Sequence, residues 1–129
     1  MIHLRRAIVS AIVSHAGFEA PLEACGLLGV DADRTVRFAY CLTNRDASPA
    51  AFTIDPADYF GASRHAERNG WEIRGIFHSH PNGPPVPSAT DVATAPSPDW
   101  LYLLVSGQEV RAFAIKGNRW QAVGFDVKP

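Results

Sequence analysis

The sequence predicts a three-layer α/β domain on a mixed β-sheet, with helices flanking it. Three observations carry this expectation. Helical segments with start and stop signals are interspersed with short apolar runs of strand length. The second half alternates apolar segments with glycine-bearing turns, as antiparallel strands do. The 129 residues are 47% apolar and 19% charged, which suits one full core in a single domain spanning 1–129.

Taken in order, 3–17 reads as an amphipathic helix. Leu4, Ile8 and Ile12 recur at helical spacing, Val9 and Val13 widen the stripe, and Gly17 supplies a stop. Pro21 breaks the chain again. The apolar run 25–30 and the segment 35–43, divided by a turn at 31–33, predict an antiparallel hairpin. A polar loop covers 44–51. Asp55-Pro56 then gives an N-cap and a first-turn proline for a helix over 56–69 that ends at Gly70. The stretch 71–78 alternates and is rich in Ile and Phe, so it reads as a strand. Four prolines and Gly83 keep 81–87 irregular. A short helix follows at 88–95. Segments 100–106, 110–115 and 120–127 predict three closing strands, divided at Gly107 and at Gly117-Asn118.

Composition excludes some function classes. The net charge is -1 with both signs scattered, so no basic nucleic-acid footprint is expected. No apolar run reaches bilayer-spanning length, so no membrane segment is expected. The N-terminal apolar stretch behind Arg5 and Arg6 is short and lacks a clean cleavage site, which favours a helix over a signal peptide. Cys25 and Cys41 belong to no C-x-x-C pair. They are read as reduced thiols inside a cytoplasmic domain.

The segment that carries chemistry is His78-Ser79-His80-Pro81, followed by Ser88 and Asp91. Two histidines at i and i+2 near the end of a strand point to the same face and can close on one ion. Asp91 can return as a third ligand after the proline loop. Two imidazoles and a carboxylate suit Zn2+ and leave a coordination position open for water. An H-x-H pair alone is common by chance, and Ser88 with Asp91 also matches a helix cap with an acidic first turn. The two roles are compatible, because a cap would fix the helix that presents Asp91. Ser79, between the ligands, should face away and bond to backbone.

In spacing and residue type this segment resembles the JAMM (MPN+) metallopeptidase motif. The stretch 21–29, with Glu23, is similar to the family's upstream glutamate region. The likeness extends to Phe52-Thr53-Ile54-Asp55-Pro56 and to 100–106, and so covers nearly the whole chain. It implies a JAMM/MPN-like fold of the cytidine-deaminase-like type. It also implies zinc on His78, His80 and Asp91, Glu23 as general base and then acid, and Ser88 as an oxyanion donor. All five positions are filled, whereas scaffold members of the family have lost ligands.

The chain lacks long insertions between Asn44 and Trp71 or after Asp91, and so looks like the short prokaryotic members. That likeness implies a ubiquitin-like sulfur-carrier protein, or its peptide adduct, as substrate, with cleavage after a C-terminal Gly-Gly. Two alternatives stay open: a non-catalytic zinc-binding MPN-like scaffold, and a small-peptide or cell-wall peptidase. Zincins would need H-E-x-x-H, and zinc deaminases would need H-x-E with P-C-x-x-C; neither is present. His3, His15 and His65 are expected on helices at the surface or core edge. Trp71, Trp100 and Trp120 are expected in the core or on sheet faces. Asn82-Gly83-Pro84-Pro85 forms a rim to the site that is either flexible or stiffened by proline. Oligomeric state is not legible.

Overall fold

The computed structural model describes residues 2–129. In chain order it contains β1 (Ile2–Arg5), α1 (Arg6–Glu19), β2 (Cys25–Val30), β3 (Thr35–Leu42), α2 (Pro56–Arg68), β4 (Glu72–Ser79), α3 (Ala89–Thr94), β5 (Leu101–Ser106), β6 (Glu109–Lys116), β7 (Arg119–Val123) and β8 (Phe125–Lys128). The strands form one sheet in the order β7-β6-β5-β4-β2-β3-β1-β8. The sheet is mixed, as expected. β2 is antiparallel to β3 and β4, β4 runs parallel to β5, and β5, β6 and β7 form an antiparallel meander.

The central strands are buried on both faces, which is why they read as continuous apolar runs. Strand alternation sorts their side chains into two layers. Leu28, Phe77, Leu103 and Val105 pack with Ile12 of α1, flanked by Ile8, Val9 and Val13. Leu27, Ile76, Tyr102, Leu104 and Phe113 face the other way, onto Ala62 and Ala66 of α2. Asp55 caps α2 by accepting from the Ala57 amide, with Pro56 in the first turn. Between β3 and β4 the backbone approach is close. A Cβ on Gly26 would lie 2.2 Å from both the Phe77 ring and the Tyr40 carbonyl oxygen.

Two local expectations are corrected. The helix expected over 3–17 is a strand, β1, followed by a helix that starts at Arg6 and runs past Gly17 to Glu19. The cause is non-local: β1 finds parallel partners in both β3 and β8, which local periodicity cannot report. Leu4 is fully buried as a strand residue, and it sits in line with the true helical stripe only by position. The single strand expected over 120–127 divides at Gly124. β7 pairs with β6 and β8 with β1, at opposite ends of the strand order. One residue therefore links the two outermost strands, so the sheet must curl. α1 lies within that curl, touching β1, β3, β4, β5, β6 and β8. No helix among the described residues is long and apolar enough to cross a membrane.

Candidate metal centre

The site forms where β4 ends. His78 and His80 share the sheet face of Ile76, on the α2 side. The ladder to β5 persists one residue beyond the strand, through the His80 amide to the Val105 carbonyl at 2.9 Å. Pro81 then stops it. His80 Nδ1 donates to the Pro84 carbonyl at 2.8 Å, and the Ser106 hydroxyl donates to the Gly83 carbonyl at 2.8 Å. The proline loop is thereby tied to the ends of β4 and β5. The Pro84 bond also sets the His80 tautomer, leaving Nε2 for a ligand.

α3 brings Asp91 back to the histidines. Its first turn is a capping box: Ser88 Oγ accepts from the Asp91 amide at 3.1 Å, and Asp91 Oδ2 accepts from the Ser88 amide at 2.9 Å. Asp91 is buried, with Oδ1 3.0 Å from His78 Nε2 and Oδ2 3.1 Å from His80 Nε2.

Glu23, just ahead of β2, arrives from the other side. Its amide donates to the Ser48 carbonyl at 2.8 Å, and its carbonyl accepts from Asn44 Nδ2 at 3.0 Å. Ser79 faces away from the ligands and clasps the next residue: the Ala24 amide donates to Ser79 Oγ at 2.8 Å, and the Ser79 amide donates to the Ala24 carbonyl at 3.0 Å. Thus held, Glu23 Oε1 lies 2.9 Å from His78 Nδ1.

His78 is fully buried, and both its nitrogens are engaged. The Phe52 ring stacks on it at 4.6 Å, and the Tyr102 hydroxyl lies 2.9 Å from Nε2. Burial opposes a charge on His78, but Asp91 and then Glu23 outweigh it and raise its pKa from 6.5 to about 9. Asp91 is likewise the main cause of a raised pKa at His80. Burial also opposes ionisation of Asp91. The two imidazoles and the Ser88 amide overcome that and hold its carboxyl far below the usual range.

The donor set fits a divalent metal. One ligand atom each from His78, His80 and Asp91 lies within 4.8 Å of the others. Ligands about 2.0–2.2 Å from a tetrahedral ion sit roughly 3.3–3.6 Å from one another, only a few tenths beyond the 3.0 and 3.1 Å that separate Asp91 from His78 and from His80. Borderline nitrogen with hard oxygen donors is the combination zinc accepts. Among the described residues no buried side-chain nitrogen or oxygen lacks a partner.

A groove of about 610 Å3 runs from this centre, lined among others by Glu23, Phe52, Ile54, Tyr59, Ser88 and Trp100. Ser88 is exposed at its mouth. Trp100 packs against the core layer on the α2 side, as expected, and also stacks with Tyr59 as a groove wall, with ring centroids 6.4 Å apart. A second cleft of about 630 Å3, between Arg34, Arg74 and Lys116 at the opposite end of β4, holds no comparable donor cluster among the described residues.

Other expectations are adjusted. His3 lies on β1 rather than a helix and pairs with Asp126 at 2.6 Å. Cys25 is buried, opposite His78 in the β2–β4 ladder. Burial first, then Glu19 and Glu23, pushes its thiol up to about 12, and it stands outside the His78–His80–Asp91 cluster. Cys41 is exposed on β3, not inside, and both cysteines are free. Sequence reasoning missed Asn44, Phe52 and Tyr102 as parts of the site. Asn44 is a buried hub that also donates to the Ala51 carbonyl at 2.8 Å and accepts from the Thr53 amide at 3.1 Å, shaping the loop that carries Phe52. The one available signal was a tyrosine hydroxyl in an otherwise apolar strand, since such a group needs a buried partner.

Comparisons with known proteins agree with this geometry. Over 104 residues the chain is 38% identical to a desampylase of Haloferax volcanii, covering 79% of this chain and 75% of that one. It is 33% identical over 118 residues to the CysO-cysteine peptidase of Mycobacterium tuberculosis, covering 90% and 80%. A solution structure of a protein from Desulfitobacterium hafniense superposes with a TM-score of 0.88 at 38% identity, covering 99% of this chain and 93% of that one. A JAB1/MPN domain protein from Archaeoglobus fulgidus shares the fold, with a TM-score of 0.67 at 19% identity over 98% of this chain and 97% of that one. Residues 5–120 match the model for prokaryotic homologs of the JAB domain, and with the sheet, the capped α3 and the His-His-Asp cluster in place, the chain belongs to that family.

Proposed function

We propose that residues 1–129 act as one catalytic domain, a zinc-dependent peptidase or isopeptidase that cleaves after the C-terminal Gly-Gly of a ubiquitin-like sulfur-carrier protein. The observation that carries this reading is the convergence of His78 and His80 on Asp91, at 3.0 and 3.1 Å, with Glu23 lining the same groove as Ser88 and Asp91. The names of the relatives support the substrate class: a desampylase, a CysO-cysteine peptidase and, from Thermus thermophilus, a probable TtuB-protein conjugate cleaving protease. Two free thiols suit a reducing cytoplasm as its place of action.

In this reading His78, His80 and Asp91 hold the metal. Zinc bound there supplies Lewis acidity and lowers the pKa of water from 15.7 to about 7. Glu23, buried and fixed through its backbone, takes a proton from the attacking water and returns it to the leaving amine. Ser88 Oγ spends an acceptor site on the cap, which leaves its O–H free to donate to the carbonyl oxygen as charge develops there. The groove takes the carrier's tail, and diglycine places no side chains against its walls.

The test is Glu23→Gln. The variant should keep its zinc content and lose roughly 10²- to 10⁴-fold in kcat on a carrier–cysteine or carrier–lysine adduct. Undiminished turnover with zinc in place would remove Glu23 as the general base, and a zinc-loaded wild type that cleaves no adduct would favour the scaffold reading.

A further inference from the structure

Tyr102 stands out on β5 because its surroundings do not account for its hydroxyl. The ring is buried among Leu27, Ile76, Leu104 and Phe113, which a phenylalanine would fill equally well. Burying a hydroxyl is costly unless it is bonded. In the parallel ladder Tyr102 is the partner of Ile76, two residues before His78. The long ring leans along the strand by one pleat, bringing the hydroxyl 2.9 Å from His78 Nε2 and beside the Asp91 carboxylate. It lies behind the ligands, away from the groove lining, so substrate does not reach it.

We propose that Tyr102 is a positioning residue of the metal centre. Its hydroxyl bridges His78 and Asp91 and holds both where they can give lone pairs to one cation. This rests on the metal centre of the preceding section and adds to it a residue that ligates nothing. A hydroxyl has one proton and two lone pairs. When His78 Nε2 gives its lone pair to a metal, that proton has Asp91 as its remaining neighbour, so the same group serves the loaded and unloaded states. Outer partners of this kind set ligand orientation and basicity, and removing one typically weakens metal affinity or activity roughly 10- to 100-fold.

The experiment compares wild type, Tyr102→Phe and Phe113→Leu in the full chain. Phe113 is the cross-strand neighbour of Tyr102 and serves as a packing control. Zinc affinity is measured by competition with a chromophoric chelator, and the ligand field is read from the Co2+ absorption spectrum. Tyr102→Phe should bind zinc roughly 10- to 100-fold more weakly. It should also shift the Co2+ bands, and lower kcat with KM held. Phe113→Leu should lose stability with zinc affinity and spectrum intact. Wild-type zinc affinity and an unshifted spectrum in Tyr102→Phe overturn the proposal, as does an equal loss in Phe113→Leu. The binding and spectral arms need no substrate, so they decide Tyr102 even if the carrier adduct is not cleaved. A wild type that binds no zinc defeats the metal centre and this proposal together.

Discussion

At Ser88 one hydroxyl caps α3, and in the proposed mechanism it also donates to the substrate carbonyl. Its oxygen accepts from the Asp91 amide and so starts α3, while its proton is free at the groove mouth. Ser88→Ala removes both. We expect a loss of about 1 kcal/mol in stability, the usual cost of an N-cap, and a fall of roughly 10²–10³ in kcat, the usual cost of one oxyanion donor. Ser88→Thr should restore both. Urea denaturation and steady-state kinetics separate them: a variant that loses stability yet turns over normally would leave Ser88 a cap and nothing more. How the site could be read from sequence follows from the reach of each contact. His78, His80, Ser88 and Asp91 declare themselves through strand alternation and cap spacing, both local rules. Glu23 has no local signature and enters through family resemblance alone. Tyr102 contacts His78 across 24 positions, and Ser79 clasps Ala24 across 55. No periodicity reports such pairs.

Among the elements, the β2–β4 pair does most to align the centre. Ser79→Ala would leave the buried Ala24 amide without its acceptor, for about 1–3 kcal/mol, and would free the residue next to Glu23. Stability and kcat should therefore fall together in that variant. Two glycines test packing with opposite signs. Gly26→Ala forces a Cβ to within 2.2 Å of the Tyr40 carbonyl, a backbone atom that cannot step aside, and should cost about 1–3 kcal/mol or more. Gly61 lies inside α2 with nothing within 4 Å of an added Cβ, so Gly61→Ala should stabilise by about 0.5–1 kcal/mol. Equal signs in chemical denaturation would overturn that account. The same contrast explains which elements were legible. α2 is announced by Asp55-Pro56, and the β2–β3 hairpin by its apolar runs and turn. β1 and the β7–β8 division depend on partners at the far end of the chain, and local pattern assigned one to a helix and merged the others.

For the whole molecule, the proposed ligand set makes proton and metal rivals for the same buried atoms, and this couples stability to pH. His78 has its pKa raised from 6.5 to about 9, by Asp91 and Glu23 acting against burial. In that window the folded metal-free protein binds more protons than the unfolded chain, so its stability falls as pH rises. The contribution is fully present below pH 6.5, lost through pH 9, and about 3 kcal/mol at most. Asp91 is shifted the other way, so its share is present above its ordinary value of 3.8 and fades as the solution is acidified below it. In the proposed ligand set zinc takes the His78 lone pair, so its apparent affinity should climb over the range in which the metal-free protein weakens. A ligand at a hundred times its Kd adds about 2.7 kcal/mol. Melting temperatures with chelator should therefore decline from about pH 6 to pH 9 while the increment conferred by zinc grows. If the two curves instead run parallel across that range, His78 keeps its proton when the metal binds, and the nitrogen assigned to zinc is the wrong one.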